Sequence, residues 1–118
     1  SSATGERAVT SAVIKFRGRE HEISDHGDGG FDAFMNALRR WARTRRIKTK
    51  PVVPTLVDYN ILIPPGGGSA SLVQVIITWQ GQNGEGEFKT IGVHCDQVLA
   101  AVDAAAAAMN VCNQNHNH

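Results

Sequence analysis

Two segments of this chain, Val13 to Trp41 and Ile76 to Ala105, carry the same order of predicted elements. In each segment, two strand-like stretches joined by a turn are followed by a glycine-containing loop and a helix. Consecutive strands joined by a short turn pair antiparallel, and the helix must bury its apolar face against the sheet. The repeated order therefore predicts an internally duplicated α+β fold. Its strand-strand-(strand)-helix units form a mainly antiparallel sheet with helices on one face.

The first repeat is predicted over about residues 12–50. Residues 12–17 alternate as a strand does, Gly18 marks a turn, and residues 19–24 make a partner strand. From about Phe31 the apolar period changes to three and four, which indicates an amphipathic helix. We expect this helix to fade by residues 49–50, because a residue before proline disfavours the helical conformation.

The second repeat is predicted over about residues 55–112. Residues 56–63 and 71–79 are strand-like and are separated by a proline- and glycine-rich break, and residues 87–91 follow a turn as a hairpin strand. A helix from about Cys95 to Asn110 contains the run Ala104–Ala108, which suits close packing. We expect a single domain over residues 12–112, with a flexible lead-in at 1–11 and a frayed tail at 113–118.

Composition excludes several classes of protein. The 118 residues are 42% hydrophobic and 19% charged, which is typical of a globular protein and not of a disordered one. The formal net charge of +1 does not support a general nucleic-acid or membrane binder. Two cysteines are too few for a disulfide scaffold and indicate reduced thiols in a cytoplasmic protein. The chain begins Ser-Ser-Ala without Met, so we expect a fragment of a longer protein.

The loop Gly27-Asp28-Gly29-Gly30 precedes the first predicted helix. Backbone N–H groups at a helix start bind anions, so this loop suits a carboxylate, and either Asp28 or Asp32 could face an ammonium group. These are the polar requirements of a free amino acid. The alternative interpretation is that the glycines only make a tight strand-to-helix turn.

Three motifs in order resemble the C-terminal regulatory domain of 2-isopropylmalate synthase. Residues 27–33 are similar to its Gly-Asn-Gly-Pro-apolar-Asp-Ala motif, with Asp28 where Asn is usual and Gly30 where Pro is usual. Leu56-Val57-Asp58-Tyr59 is similar to its Leu-x-Asp-Tyr strand, and residues 87–101 resemble its second strand-and-helix segment. The match covers roughly residues 12–111.

The resemblance implies a dimeric domain of duplicated βββα units that binds leucine as a feedback effector, and we expect the leucine at or near the dimer interface. A similar domain of citramalate synthase responds to isoleucine, which is the nearest alternative. The parent enzymes condense acetyl-CoA with a 2-oxoacid on a separate, metal-dependent TIM barrel. This chain is then expected to have no catalytic residues, metal or cofactor of its own. By resemblance the effector site uses Gly27, Asp28, Gly29, Gly30, Phe31, Asp32, Leu56, Tyr59, Ile63, Ala70, Ile91 and Val93.

Other features of the sequence give weaker indications of a functional site. Gly66-Gly67-Gly68 lacks the Lys-Ser/Thr of a phosphate loop, and no Cys/His quartet has zinc-ligand spacing. His94-Cys95 at a helix start has the order of a nucleophile pair, but the helix phase favours a small core or boundary role for Cys95. Seven of the twelve basic residues fall in 39–50. We expect them to form a solvated helix end or a contact with the catalytic TIM-barrel domain of the same enzyme. A nucleic-acid-binding module is the alternative, although the segment lacks the aromatic platform of RNA-binding sheets. A dimerisation domain without a ligand is the third alternative.

Overall fold

Two antiparallel sheets, each packed against one helix, form the described part of the chain. The computed structural model describes residues 7–45, 50–63, 71–82 and 84–114. The chain divides into two units, Ser1–Pro51 and Val52–His118. The first unit contains β1 (Ala8–Phe16), β2 (Arg19–Gly27) and α1 (Gly30–Thr44); the second contains β3 (Thr55–Leu62), β4 (Val73–Gln80), β5 (Glu87–His94) and α2 (Gln97–Asn113). The predicted α+β class, with ββα and βββα units in order, is confirmed.

A two-residue turn joins β1 to β2. Arg17 and Gly18 both have positive φ, 53° and 79°, and Phe16 pairs with Arg19 across the turn. Two left-handed residues in a two-residue loop match the twist of a hairpin, and glycine adopts that conformation without strain. The turn predicted at Gly18 is confirmed.

Strand β1 begins earlier and helix α1 ends earlier than predicted. Residues 8–11 already alternate between exposed and half-buried positions and pair with β2, so they belong to the sheet and not to the lead-in. Helix α1 ends at Thr44, and Arg45 has an extended conformation with ψ 129°. Pro51 disfavours the helical conformation in the residue before it, and it is too far from Thr44 along the chain to determine where α1 ends.

The core of the first unit lies where α1 covers the β1–β2 hairpin. Trp41 makes an edge-to-face contact with Phe16, their ring centroids 5.2 Å apart, and its ring lies 5.1 Å from that of His21. Edge-to-face aromatic pairs add about 1 kcal/mol to the gain from burial. Of the stripe that the spacing of three and four predicts, Phe34, Met35, Leu38 and Trp41 are buried and Phe31 is half-buried.

In the second unit, β4 lies between β3 and β5. Val75, Ile77 and Trp79 of β4 are fully buried on the side covered by α2. Strand β5 extends to His94, three residues beyond its predicted end, and β4 runs from Val73 to Gln80. A tight connection precedes β5, where the Gly81 N–H donates to the Gly86 carbonyl at 2.8 Å.

Helix α2 packs closely on β5 because the contact is made of small residues. Ala100, Ala101, Ala104, Ala105 and Ala108 are buried. A Cβ placed on Gly92 would lie 1.7 Å from the Ala100 carbonyl oxygen, so only glycine fits there. Beside it, the Thr90 hydroxyl donates to the Ala104 carbonyl at 2.7 Å and accepts from the Trp79 indole at 2.8 Å. The alanine run therefore packs against the helix's own sheet.

Helix α2 ends at Asn113, which corrects the prediction that the frayed tail begins there. Asn113 is buried, and its amide oxygen accepts from the Val52 N–H at 2.9 Å. Its amide nitrogen donates to the Val52 carbonyl at 2.9 Å and to that of Met109 at 2.7 Å. A side chain that satisfies both backbone groups of a distant residue fixes the helix end. Residues 115–118 lie outside the described residues.

Candidate functional site

The predicted glycine loop joins the end of β2 to the start of α1. Gly29 is the N-cap of α1 and has extended backbone, with φ −158° and ψ 176°, and its carbonyl accepts from the Ala33 N–H at 2.9 Å. The Asn36 amide donates to the His26 carbonyl at 2.9 Å and so ties the helix back to β2. Hydrogen bonds from α1 thus fix the loop both at its helix end, Gly29, and at its strand end, His26.

The glycines of this loop differ in why they are needed. A Cβ on Gly27 would lie 2.4 Å from the Ala33 nitrogen and 2.6 Å from Asp32 Oδ2, so Gly27 permits a close approach between strand and helix. A Cβ on Gly29 would meet nothing within 4 Å, and its extended backbone is open to any residue. The tight-turn interpretation therefore accounts for Gly27 but not for Gly29.

The two aspartates of the loop have different positions. Asp32, the third residue of α1, reaches back so that its Oδ2 accepts from the Asp28 N–H at 2.8 Å. This bond fixes the loop against the helix start, where a carboxylate also interacts favourably with the helix dipole. The side chain of Asp28 is exposed.

The start of α2, unlike that of α1, is capped by a side chain. Asp96 is its N-cap, and Oδ1 accepts from the N–H groups of Val98 at 2.8 Å and Leu99 at 3.1 Å. The protein's own carboxylate thus occupies the anion-binding end of α2, whereas the N-cap of α1 is a glycine with no side chain. Asp96 corresponds to Gly29 by position in the repeat, because each is the N-cap of its helix. An aspartate just before a helical period is a cap signal that could have identified it.

The site residues expected in the second unit lie on both faces of its sheet. Residues directly opposite in neighbouring strands share a face. Leu56 pairs with Trp79 and Tyr59 with Ile77, so both lie on the face covered by α2. Ile91 and Val93 alternate with buried Thr90 and Gly92 and lie on the opposite face, 53% and 46% exposed. The structure therefore brings Leu56 and Tyr59 to one face and Ile91 and Val93 to the other.

Of the two remaining expected site residues, the structure describes only Ile63. Ile63 follows the last residue of β3 and is exposed. Ala70 lies outside the described residues, as does the Gly66–Gly68 segment.

The His94-Cys95 pair is not arranged as a nucleophile and base. His94 Nδ1 accepts from the Asp96 N–H at 3.0 Å, and Cys95 Sγ lies 3.6 Å from the same nitrogen. An imidazole nitrogen whose lone pair accepts a backbone N–H is a poor acceptor for a thiol proton. Cys95 is exposed, so its expected core or boundary position is wrong, and Cys112 is the buried cysteine.

Within ranges 7–45, 50–63, 71–82 and 84–114, no three His, Cys, Asp or Glu side chains are grouped to hold a metal ion. In the same ranges, no helix is both long and apolar enough to cross a membrane.

Comparison with known proteins decides the family. Residues 1–113 match the model of a family described as the LeuA allosteric (dimerisation) domain. The chain belongs to this family. This LeuA allosteric domain is also 28% identical over 110 residues to the 2-isopropylmalate synthase of Aquifex aeolicus (strain VF5). The match covers 91% of the chain and 19% of that synthase, so the LeuA domain spans about a fifth of this relative's length.

Proposed function

We propose that this LeuA allosteric domain binds free leucine and transmits feedback inhibition to a 2-isopropylmalate synthase in leucine biosynthesis. The observation that carries the proposal is the N-cap of α1. This residue is Gly29, so no side chain caps the helix, although a Cβ at this position would meet no atom within 4 Å. The family to which the chain belongs and its relative in Aquifex aeolicus support the same function.

In this proposal the leucine carboxylate binds the backbone N–H groups at the start of α1. Such groups and the helix dipole favour an anion there, and α2 has already filled its own N-terminus with Asp96. The ammonium group faces the exposed carboxylate of Asp28, because Asp32 is engaged with the loop backbone. The apolar residues that the resemblance assigns to the pocket stay a prediction.

Binding would regulate by a population shift. Leucine stabilises one arrangement of the domain by its greater affinity for that arrangement, and the catalytic part of the longer enzyme responds to it. The condensation of acetyl-CoA with 2-oxoisovalerate, with its divalent metal, belongs in this proposal to that other part.

Calorimetric titration of the 118-residue chain with leucine, isoleucine and valine, at low and high salt, tests the proposal. We expect saturable leucine binding that changes little with salt, because the ligand is zwitterionic. Nucleic-acid binding, by contrast, weakens steeply with salt. Preference for isoleucine would assign the domain to the citramalate-synthase type. No heat from any of the three, in a folded sample, would contradict effector binding.

Two probes separate the polar contacts. Leucinamide lacks the carboxylate and should not bind, whereas Asp28→Asn should weaken leucine binding about tenfold through loss of one charge-assisted hydrogen bond. Asp103→Asn is the matched control, since Asp103 is an exposed aspartate on α2. Equal affinity of Asp28→Asn and Asp103→Asn would remove Asp28 from the site.

A further inference from the structure

The β3–β4–β5 sheet has one face covered by α2 and a second face that α2 does not cover, which we call the open face. The open face is partly apolar. The strand register arranges it in three cross-strand rows, which are Asp58–Thr78–Lys89, Asn60–Ile76–Ile91 and Leu62–Gln74–Val93. Leu62, Ile91 and Val93 are 51%, 53% and 46% exposed, and Ile76 lies half-buried among them. A solvated sheet face usually carries polar side chains, so the exposed apolar side chains of these two adjoining rows indicate an interaction surface.

We propose that two copies of this chain associate through the open face, about a two-fold axis parallel to β4. The family is named for dimerisation, and the inference adds the surface that performs it. It does not depend on leucine binding. A two-fold axis places the same patch on both copies, so the patch must be complementary to itself.

The rows meet this requirement for one direction of the axis. A two-fold axis parallel to β4 exchanges the two outer strands, so Leu62 lies opposite the partner's Val93. Ile76 then meets its own counterpart, Asn60 lies opposite the partner's Ile91, and Asp58 lies opposite the partner's Lys89. The Leu62–Val93 and Ile76–Ile76 contacts are therefore apolar, and opposite charges meet at the end of the patch.

The perpendicular axis gives a worse match. A two-fold axis across the strands exchanges the first and third rows, which places Asp58 opposite the partner's Leu62 and Lys89 opposite the partner's Val93. Burying a charge against an aliphatic side chain without a partner costs several kcal/mol. The charges at one end of the open face thus determine the direction of the axis.

The exposed face of β1 and β2 in the first unit does not offer such a patch. Val9 pairs with His26 and Val13 with Glu22, so neither exposed valine has a directly opposite apolar partner as Ile91 has in Ile76. Val13 is 60% exposed, close to the value for Ile91, which makes it a matched control position.

Charge exchange between subunits is the decisive experiment, read by sedimentation equilibrium without leucine. Asp58→Lys alone and Lys89→Asp alone each place two like-charged pairs in the dimer, and each should weaken self-association about tenfold. An equimolar mixture of the two variants should associate about as tightly as the native chain, since each charge then meets its opposite. Asp103→Lys should have no effect.

Ile91→Glu and Val13→Glu test the apolar part. Ile91→Glu should weaken self-association at least tenfold and Val13→Glu should not, with far-UV circular dichroism verifying that both fold. The proposal is overturned by a native chain that stays monomeric at every concentration, or by a mixture that associates no better than the single variants. It is also overturned if Val13→Glu weakens the dimer more than Ile91→Glu. Because no leucine is present, none of these results bears on effector binding.

Discussion

Gly92 and Gly29 differ in the space around them, because a Cβ would meet backbone atoms at Gly92 and no atom within 4 Å at Gly29. Replacing Gly92 by alanine would place its Cβ 1.7 Å from the Ala100 carbonyl oxygen and 2.8 Å from the Ala104 nitrogen. These are backbone atoms that cannot change rotamer, so α2 must move away from β5. We expect Gly92→Ala to lower the free energy of unfolding by about 3 kcal/mol. Urea denaturation measures it, and Gly29→Ala, which meets nothing within 4 Å, is the control.

The two cysteines should differ in reactivity with iodoacetamide. Cys95 is exposed, whereas burial, with a smaller contribution from the negative charge of Glu85, raises the pKa of Cys112 from 9.0 to about 11. Because the thiolate is the nucleophile, we expect alkylation of Cys95 alone in the folded chain at pH 8.5 and of both in urea. Mass spectrometry identifies the sites, and rapid modification of Cys112 in the folded chain would show that α2 opens.

The same pKa shift predicts an alkaline loss of stability. The folded chain holds the Cys112 proton more tightly than the unfolded chain, whose thiol titrates near pH 9.0. The stabilising contribution is therefore complete below pH 9 and is lost as the pH rises through about 11. In urea titrations between pH 8 and pH 11, the native chain should lose more stability than Cys112→Ala. Parallel losses would contradict the burial of this thiol.

The position of the glycine loop before α1 could be predicted from sequence, but the sheet face on which Tyr59 lies could not. Strict alternation would place Leu56 and Tyr59, three residues apart, on opposite faces of the sheet. The register shift between Leu56 and Asp58 is a bulge that returns Tyr59 to the face of Leu56. Nothing in the residue types predicts a bulge there. The loop itself was predictable because glycine and aspartate have specific roles at a helix start.

Among the elements, α2 depends on a bond at its last residue. Asn113→Asp keeps the oxygen that accepts from Val52 but replaces the amide that donates to the Val52 and Met109 carbonyls. A carboxylate facing two carbonyl oxygens is unfavourable, so we expect a loss of about 2 kcal/mol in unfolding free energy. Asn110→Asp, at an exposed position of the same helix, is the matched control.

Hydrogen exchange locates this effect. The Val52 amide should exchange faster in Asn113→Asp than in Asn110→Asp, because the bond from Asn113 protects it. Unchanged protection at Val52, together with unchanged stability, would show that the end of α2 does not hold the start of the second unit.

Element types were predicted from periodicity, whereas their ends were not. Local patterns define a strand or helix by several residues at once, but an end is decided by single contacts. Residues 8–11 extend β1 because they pair with β2, and Asn113 extends α2 because it bonds to Val52, sixty-one residues away in sequence. Such long-range contacts leave no local pattern in the sequence.

At the scale of the whole molecule, the duplication is visible but not exact. The boundary between Pro51 and Val52 falls between the two predicted repeats. In the described residues the first sheet has two strands and the second has three, and one helix start is uncapped by side chains while the other is capped by Asp96. The two halves thus share an element order and differ in strand number and in the capping of their helices. That they form a single domain stays a prediction.

Leucine titration of the isotope-labelled chain, followed by amide chemical shifts, tests the central claim most directly. We expect saturable shifts at Gly29, Gly30 and Phe31, where the start of α1 receives the carboxylate. The amides of Val98 and Leu99 should stay unchanged, because Asp96 already binds them. Saturable shifts at the start of α1 would place the effector there. Shifts confined to other residues, or none at saturating leucine, would contradict the account.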